Sequence, residues 1–170
     1  YFKRRAILRD ENEKLFDDND ERMIFFTKGV IETVKKLNWS PDIIHLHGWF
    51  TSLFPLYLNS YYKDDPIFIN SKIVTSVYAK DFDGVFSNQF HKKVSFDGIS
   101  EELIRPLKNP NFENLEQLSL NFSDGYVMGD SETPNYIEEY SMDKQIPGLN
   151  YQESQDKDAL TKFYVNHILK

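Results

Sequence analysis

The nine residues Pro41-Asp42-Ile43-Ile44-His45-Leu46-His47-Gly48-Trp49 constrain the fold of this chain more than any other stretch. Asp42 follows a proline, so the segment leaves a loop. Ile43, Ile44 and Leu46 then place apolar side chains on both parities of an extended chain, the pattern of a strand covered on both faces. Such strands belong to parallel sheets with helices on either side. In those sheets ligands bind beyond the carboxyl ends of the strands. His47 stands at that end, and Gly48 after it frees the backbone for a turn or a close approach.

The flanking sequence alternates as such a sheet requires. Met23, Phe26, Val30, Val34 and Leu37 recur at spacings of three and four, and Ile24 and Ile31 widen the stripe. That pattern predicts a helix, closed by Asn38 and Pro41. The acidic run Asp17-Asp18-Asn19-Asp20 suits the positive end of its dipole and reads as a solvated helix start. Residues 49–62 predict a second helix, with Leu53, Leu56, Tyr57 and Tyr61 on one face. Pro55 fits only in a first turn, which places the start near residues 50–53. Ile73-Val74-Thr75-Ser76-Val77-Tyr78 reads as a second, β-branched strand. Periodicity fades over residues 79–111, where turn residues dominate. A long irregular stretch beside a sheet edge is more often functional than idle. A helix over 112–122 and a short strand over 125–129 follow. The next helix is capped by Ser131 or Thr133, has Pro134 early, and runs to about Ser141. A final amphipathic helix over 156–169 carries Leu160, Phe163, Tyr164, His167 and Ile168 on its stripe. The order predicts an α/β fold: a three-layer Rossmann-like domain with a mainly parallel sheet.

Composition narrows the functional classes. A length of 170 residues suits one domain, and 40% hydrophobic against 28% charged residues suits a packed core rather than disorder. The net charge of −7 argues against nucleic acid or an acidic membrane surface as partner. No cysteine is present, which excludes disulfides, thiolate nucleophiles and cysteine metal sites. No apolar run approaches the roughly 20 residues that span a bilayer. The basic run Lys3-Arg4-Arg5 lies in a polar context and precedes no apolar segment. Tyr1 reads as a cut inside a longer protein, and a cytoplasmic location is expected. The 14 Phe and 10 Tyr are first of all core material; a sugar-binding platform is their functional alternative.

His45 and His47, two apart on a strand, point the same way. His45 reads as a buried imidazole bonded to a neighbour. A histidine pair can hold zinc, but a third ligand would have to come from a scattered residue with no motif behind it, so no metal site is expected. No glycine-rich phosphate loop, no nucleophile elbow and no singled-out carboxylate pair occurs. The residues alone lead to one layered α/β domain with a ligand edge near His47.

Two motifs together resemble the first half of the bacterial glycogen and plant starch synthases. Asp18-Asn19-Asp20-Glu21-Arg22-Met23-Ile24-Phe25-Phe26 is similar to that family's "DN-x-x-RF" helix entrance. The opening nine residues are similar to its "PD-V-V-H-x-H-D-W" strand and turn. The clear match runs over residues 17–78, and residues 121–130 resemble a later strand more weakly. The family consists of retaining glucosyltransferases with a GT-B fold, two Rossmann-like domains around a cleft. The resemblance implies that residues 1–170 are a fragment of the amino-terminal catalytic domain. The first strands of that domain would precede Tyr1, and the second domain would be absent. It implies ADP-glucose and an α-glucan as partners, no cofactor, and a possible partner chain supplying the second domain. His47 matches the histidine that lines the glucosyl subsite, the one catalytic candidate. Asp18 matches an aspartate near the acceptor side, and Trp49 follows His47 as in the family; with His47 they form the substrate-binding set.

Departures from the pattern matter as much. The family's aspartate after the histidine is Gly48 here, and its "H-N" after the next strand has no counterpart at Tyr78-Ala79-Lys80. The "K-T-G-G" loop and the charged groups of the second domain are missing, so a leaving diphosphate would go unstabilised. The chain is therefore not expected to transfer glucose unaided. Its tail reads as a terminal helix rather than a linker, and the natural protein is expected to end near Lys170. A non-catalytic relative that binds glucan or a partner subunit is the second reading. A regulatory module of response-regulator type is the third, and it lacks the acidic cluster after a first strand.

Overall fold

The structure, a computed structural model, describes residues 6–170, so the basic run Lys3-Arg4-Arg5 lies outside the described residues. Four strands form one parallel sheet in the order β1 (Ile43–His47), β2 (Lys72–Val77), β3 (Gly125–Met128), β4 (Gly148–Leu149). The helices are α1 (Asn19–Lys36), α2 (Leu53–Asn59), α3 (Phe90–Ser95), α4 (Phe112–Asn121), α5 (Asn135–Lys144), α6 (Tyr151–Ser154) and α7 (Lys157–Phe163). A π turn, Tyr164–Ile168, continues α7.

Alternation along the strands divides the core into two faces. Ile44, Leu46 and Ile73 join Met23 of α1, Leu53, Leu56 and Tyr57 of α2, and Leu115 and Leu118 of α4. Val77 and Tyr126 extend that face against Leu120 and Ile137. Ile43, Val74, Val127 and Leu149 point the other way, onto Phe163 and Ile168. Helix, sheet and helix are thus three layers, and burying each large aliphatic side chain contributes about 1.5–3 kcal/mol. Among the described residues no helix is long and apolar enough to cross a membrane.

Several elements depart from the sequence-based expectation. The segment expected to be irregular contains α3, and β4 and α6 occupy what reads as a loop around Pro147 and Gly148. The stripe of α1 is rotated from the predicted one. Met23 and Ile31 are buried, whereas Phe26 and Leu37 are exposed. The acidic run is not wholly a solvated start either. Asp20 is 0% exposed, with Oδ2 2.7 Å from Nζ of Lys93 on α3. Asn19 and Arg22 are buried as well, donating to the carbonyls of Leu8 and Ile7. The reason is tertiary: α1 is covered at its start by α3 and by the preceding segment, so its polar first turn faces inward. Pro134, not Ser131 or Thr133, occupies the cap position of α5. Pro55 sits in the first turn of α2, as its chemistry requires.

Among the described residues β1 is paired on one side only. A cavity of about 450 Å³ lies along it, walled by Phe26, Val34, Trp39, Phe54 and Phe68.

Candidate functional site

Parallel pairing brings the carboxyl ends of β1, β2 and β3 to one edge. His47 lies beside Ser76, and Val77 beside Met128. The turn after β1 depends on Gly48, which has φ +73° and ψ 162°. That region is essentially restricted to glycine. A side chain at residue 48 would meet open space, so the constraint is purely one of backbone. Gly48→Asp, which would restore the residue of the pattern this stretch resembles, is expected to lower stability by about 1–3 kcal/mol, read from urea denaturation midpoints. An unchanged midpoint would show that the turn relaxes to accept a side chain.

The two histidines are adjacent and engaged. Their rings stack with centroids 4.3 Å apart. Nε2 of His45 lies 2.8 Å from Oγ of Ser76, and the Tyr164 hydroxyl lies 2.5 Å from its Nδ1. Both ring nitrogens of His45 are thereby used, as expected of a bonded imidazole. Burial, helped by the neighbouring His47, pulls its pKa down to about 4, so it is neutral at neutral pH. His47 is exposed at the edge, with Nδ1 2.8 Å from the Tyr78 hydroxyl, and partial burial lowers its pKa as well. Its Nε2 has no hydrogen-bond partner among the described residues.

The other candidates are placed differently. Trp49 is 4% exposed and packs edge-on against Phe82 and Phe50, with Phe86 beside it. Its Nε1 donates to Oδ2 of Asp81 at 2.6 Å, and the Arg9 guanidinium approaches the same oxygen at 3.0 Å. Trp49 therefore joins the loop after β2 to the segment before α1. Asp18 caps α1 through its backbone, accepting from the Arg22 amide at 3.0 Å, and is half-buried. Its neighbour Asp17 lines a cavity of about 620 Å³ with Arg9, Phe16, Phe82 and Phe86. His47 lines the cavity along β1 instead. The structure brings His45, His47, Tyr78 and Tyr164 together, and Trp49 with Asp81, but no one of these cavities takes in both His47 and Asp18.

Sequence reasoning passed over Tyr78, Tyr164 and Asp81. Tyr164 was legible only as a core position, and Asp81 as a turn residue; their partners lie 119 and 32 positions away in the chain. Among the described residues no group of three His, Asp or Glu is arranged to hold a metal ion.

A parallel sheet between helix layers, with polar rings gathered at its carboxyl edge, defines a Rossmann-like domain, the class of fold whose ligands bind at that edge. The family of the starch synthase catalytic domain matches residues 1–143, and the chain belongs to that family. It is similar to the glycogen synthase of Chlorobium luteolum, 36% identical over 127 residues, or 70% of this chain and 26% of that protein. The glycogen synthase of Elusimicrobium minutum is 31% identical over 149 residues, 86% of this chain and 29% of its own length. That of Vibrio parahaemolyticus is 40% identical over 87 residues, 51% of this chain and 18% of its own. The chain spans about a quarter of the length of the curated relatives it matches.

Proposed function

We propose that this chain is part of the amino-terminal catalytic domain of a glycogen synthase-type glucosyltransferase, which moves glucose from ADP-glucose to the non-reducing end of an α-1,4-glucan. The observation that supports this most is His47: a neutral, exposed imidazole at the carboxyl end of β1, at the position of the family histidine. A neutral imidazole bonds a sugar hydroxyl, and such contacts strengthen as positive charge develops on the transferred glucosyl group. Asp18 is assigned to the acceptor side. Trp49, being buried, would act by holding Asp81 and the loop after β2 rather than by touching sugar.

The same reading concerns the rest of the cleft. A strand apolar on both faces belongs inside a sheet, so the unpaired edge of β1 is assigned to further strands of the domain. A second Rossmann-like domain, in the same polypeptide or a partner chain, must supply the charges that stabilise the leaving diphosphate. The proposed setting is the cytoplasm.

The test is incorporation of labelled glucose from ADP-glucose into glycogen. The full-length protein, together with any partner chain that supplies the second domain, is expected to incorporate it, and the 170-residue chain alone is not. Gly48 favours a second reading, a non-catalytic relative that binds glucan or a partner subunit, because its backbone conformation disfavours the aspartate of the family pattern. Retention on glucan without incorporation would select that reading. Absence of both binding and incorporation would reject the two together.

A further inference from the structure

The carboxyl ends of β2 and β3 hold Tyr78 unusually firmly. On one side of it, the Val77 carbonyl accepts from the Gly129 amide at 2.7 Å; on the other, the Ala79 amide donates to Oδ2 of Asp130 at 2.8 Å. The phenol ring then lies against Gly129 so closely that a Cβ there would overlap it. Glycine at residue 129 is thus the seat of the Tyr78 ring. From that seat the hydroxyl reaches Nδ1 of His47 at 2.8 Å. Tyr78 stands where the family pattern "H-N" finds no counterpart.

We infer that Tyr78 is a positioning residue for His47: its hydroxyl donates to Nδ1, which fixes the neutral ring with its proton on Nε2 and keeps that N–H for a ligand. The direction of donation follows from the two groups. An imidazole nitrogen is a stronger acceptor than a phenol oxygen, and a phenol proton given to it satisfies both partners at once. The opposite arrangement would leave the phenol proton without a partner among the described residues. His45 holds the other face of the His47 ring by stacking, and is itself fixed at both nitrogens by Ser76 and Tyr164. The ring of His47 therefore has little freedom to flip. A ligand oxygen at this edge would be met by a donor rather than an acceptor.

This deepens the reading of His47 as a glucosyl contact and rests on that reading for its purpose, yet its test needs no sugar. The protein is labelled with nitrogen-15 in its imidazoles, and long-range proton–nitrogen correlations are recorded at pH 8. His47 is assigned by comparison with His47→Gln among the 4 histidines. The expected spectrum shows Nδ1 as the unprotonated ring nitrogen and Nε2 as the protonated one. Tyr78→Phe is expected to turn this into an average of the two tautomers, and Gly129→Ala to do the same with the phenol still present. A wild-type His47 protonated on Nδ1 overturns the inference, and that result needs no variant at Tyr78 or Gly129 to fold. So does an unchanged His47 spectrum in folded Tyr78→Phe. Failure of glucose transfer with the expected spectrum would count against the proposed function alone.

Discussion

Replacing Glu116 by glutamine is expected to stabilise the protein by about 4 kcal/mol at pH 8 and by less than about 1 kcal/mol at pH 5. Glu116 lies on α4, is 2% exposed, and its Oε2 has no hydrogen-bond partner among the described residues. Burial without a partner raises its pKa to about 8, since the charged form loses its hydration and gains nothing in return. Tyr136 lies close enough to feel the charge, and its buried hydroxyl is likewise unpartnered. The folded state therefore holds a proton that the unfolded state releases near the ordinary carboxyl value of 4.5. Stability from this group is fully present at low pH and is lost as pH rises from there toward 8. His45 acts in the opposite sense. Its folded pKa of about 4 lies below 6.5, so its contribution is present above 6.5 and lost as pH falls toward 4. The two slopes oppose each other between pH 5 and 6, and above 6.5 the Glu116 slope stands alone. Urea denaturation from pH 5 to 8 should show wild-type stability falling through the upper half of that range, with Glu116→Gln flat there. A parallel pair of curves would mean that Glu116 is solvated in the folded protein.

Trp49→Ala is expected to cost about 3–5 kcal/mol, because it removes a buried indole between three phenylalanines. It also leaves the Asp81 carboxylate with the Arg9 guanidinium as its remaining ion partner. Trp49→Phe keeps most of the packing and is expected to cost roughly 1 kcal/mol for the lost hydrogen bond, plus a part for the smaller ring. A sugar-stacking tryptophan at the surface would behave differently, with stability nearly unchanged and glucan affinity reduced. Thermal or urea unfolding of the two variants separates these outcomes.

The contrast between Trp49 and His47 shows what the sequence made legible. β1, β2 and β3 were readable because Ile43, Ile44 and Leu46, or Ile73, Val74 and Val77, carry their burial in their own composition. The parallel sheet and the position of His47 at its edge followed from the same pattern, whereas the order of the strands within the sheet came from the structure. α3 was hidden because six residues span less than two turns, too few to display a period. β4 was hidden because two residues beside Pro147 carry no strand signal. The rotation of α1 was beyond reach for another reason. Its buried face starts with a polar first turn, where Asp20 is satisfied by Lys93, 73 residues away. The same holds for the site. His47 was marked by its strand and its glycine, whereas Tyr78 and Tyr164 are defined by pairings across the sheet and from the end of the chain.

The most direct measurement is the steady-state rate of glucose transfer from ADP-glucose to glycogen by the full-length protein and its His47→Ala variant, with folding of the variant verified by circular dichroism. A lost contact to the developing charge is expected to lower kcat/KM by about 10²–10³-fold. A His47→Ala protein that transfers glucose within a few-fold of the wild-type rate would contradict the assignment of this edge as the glucosyl site.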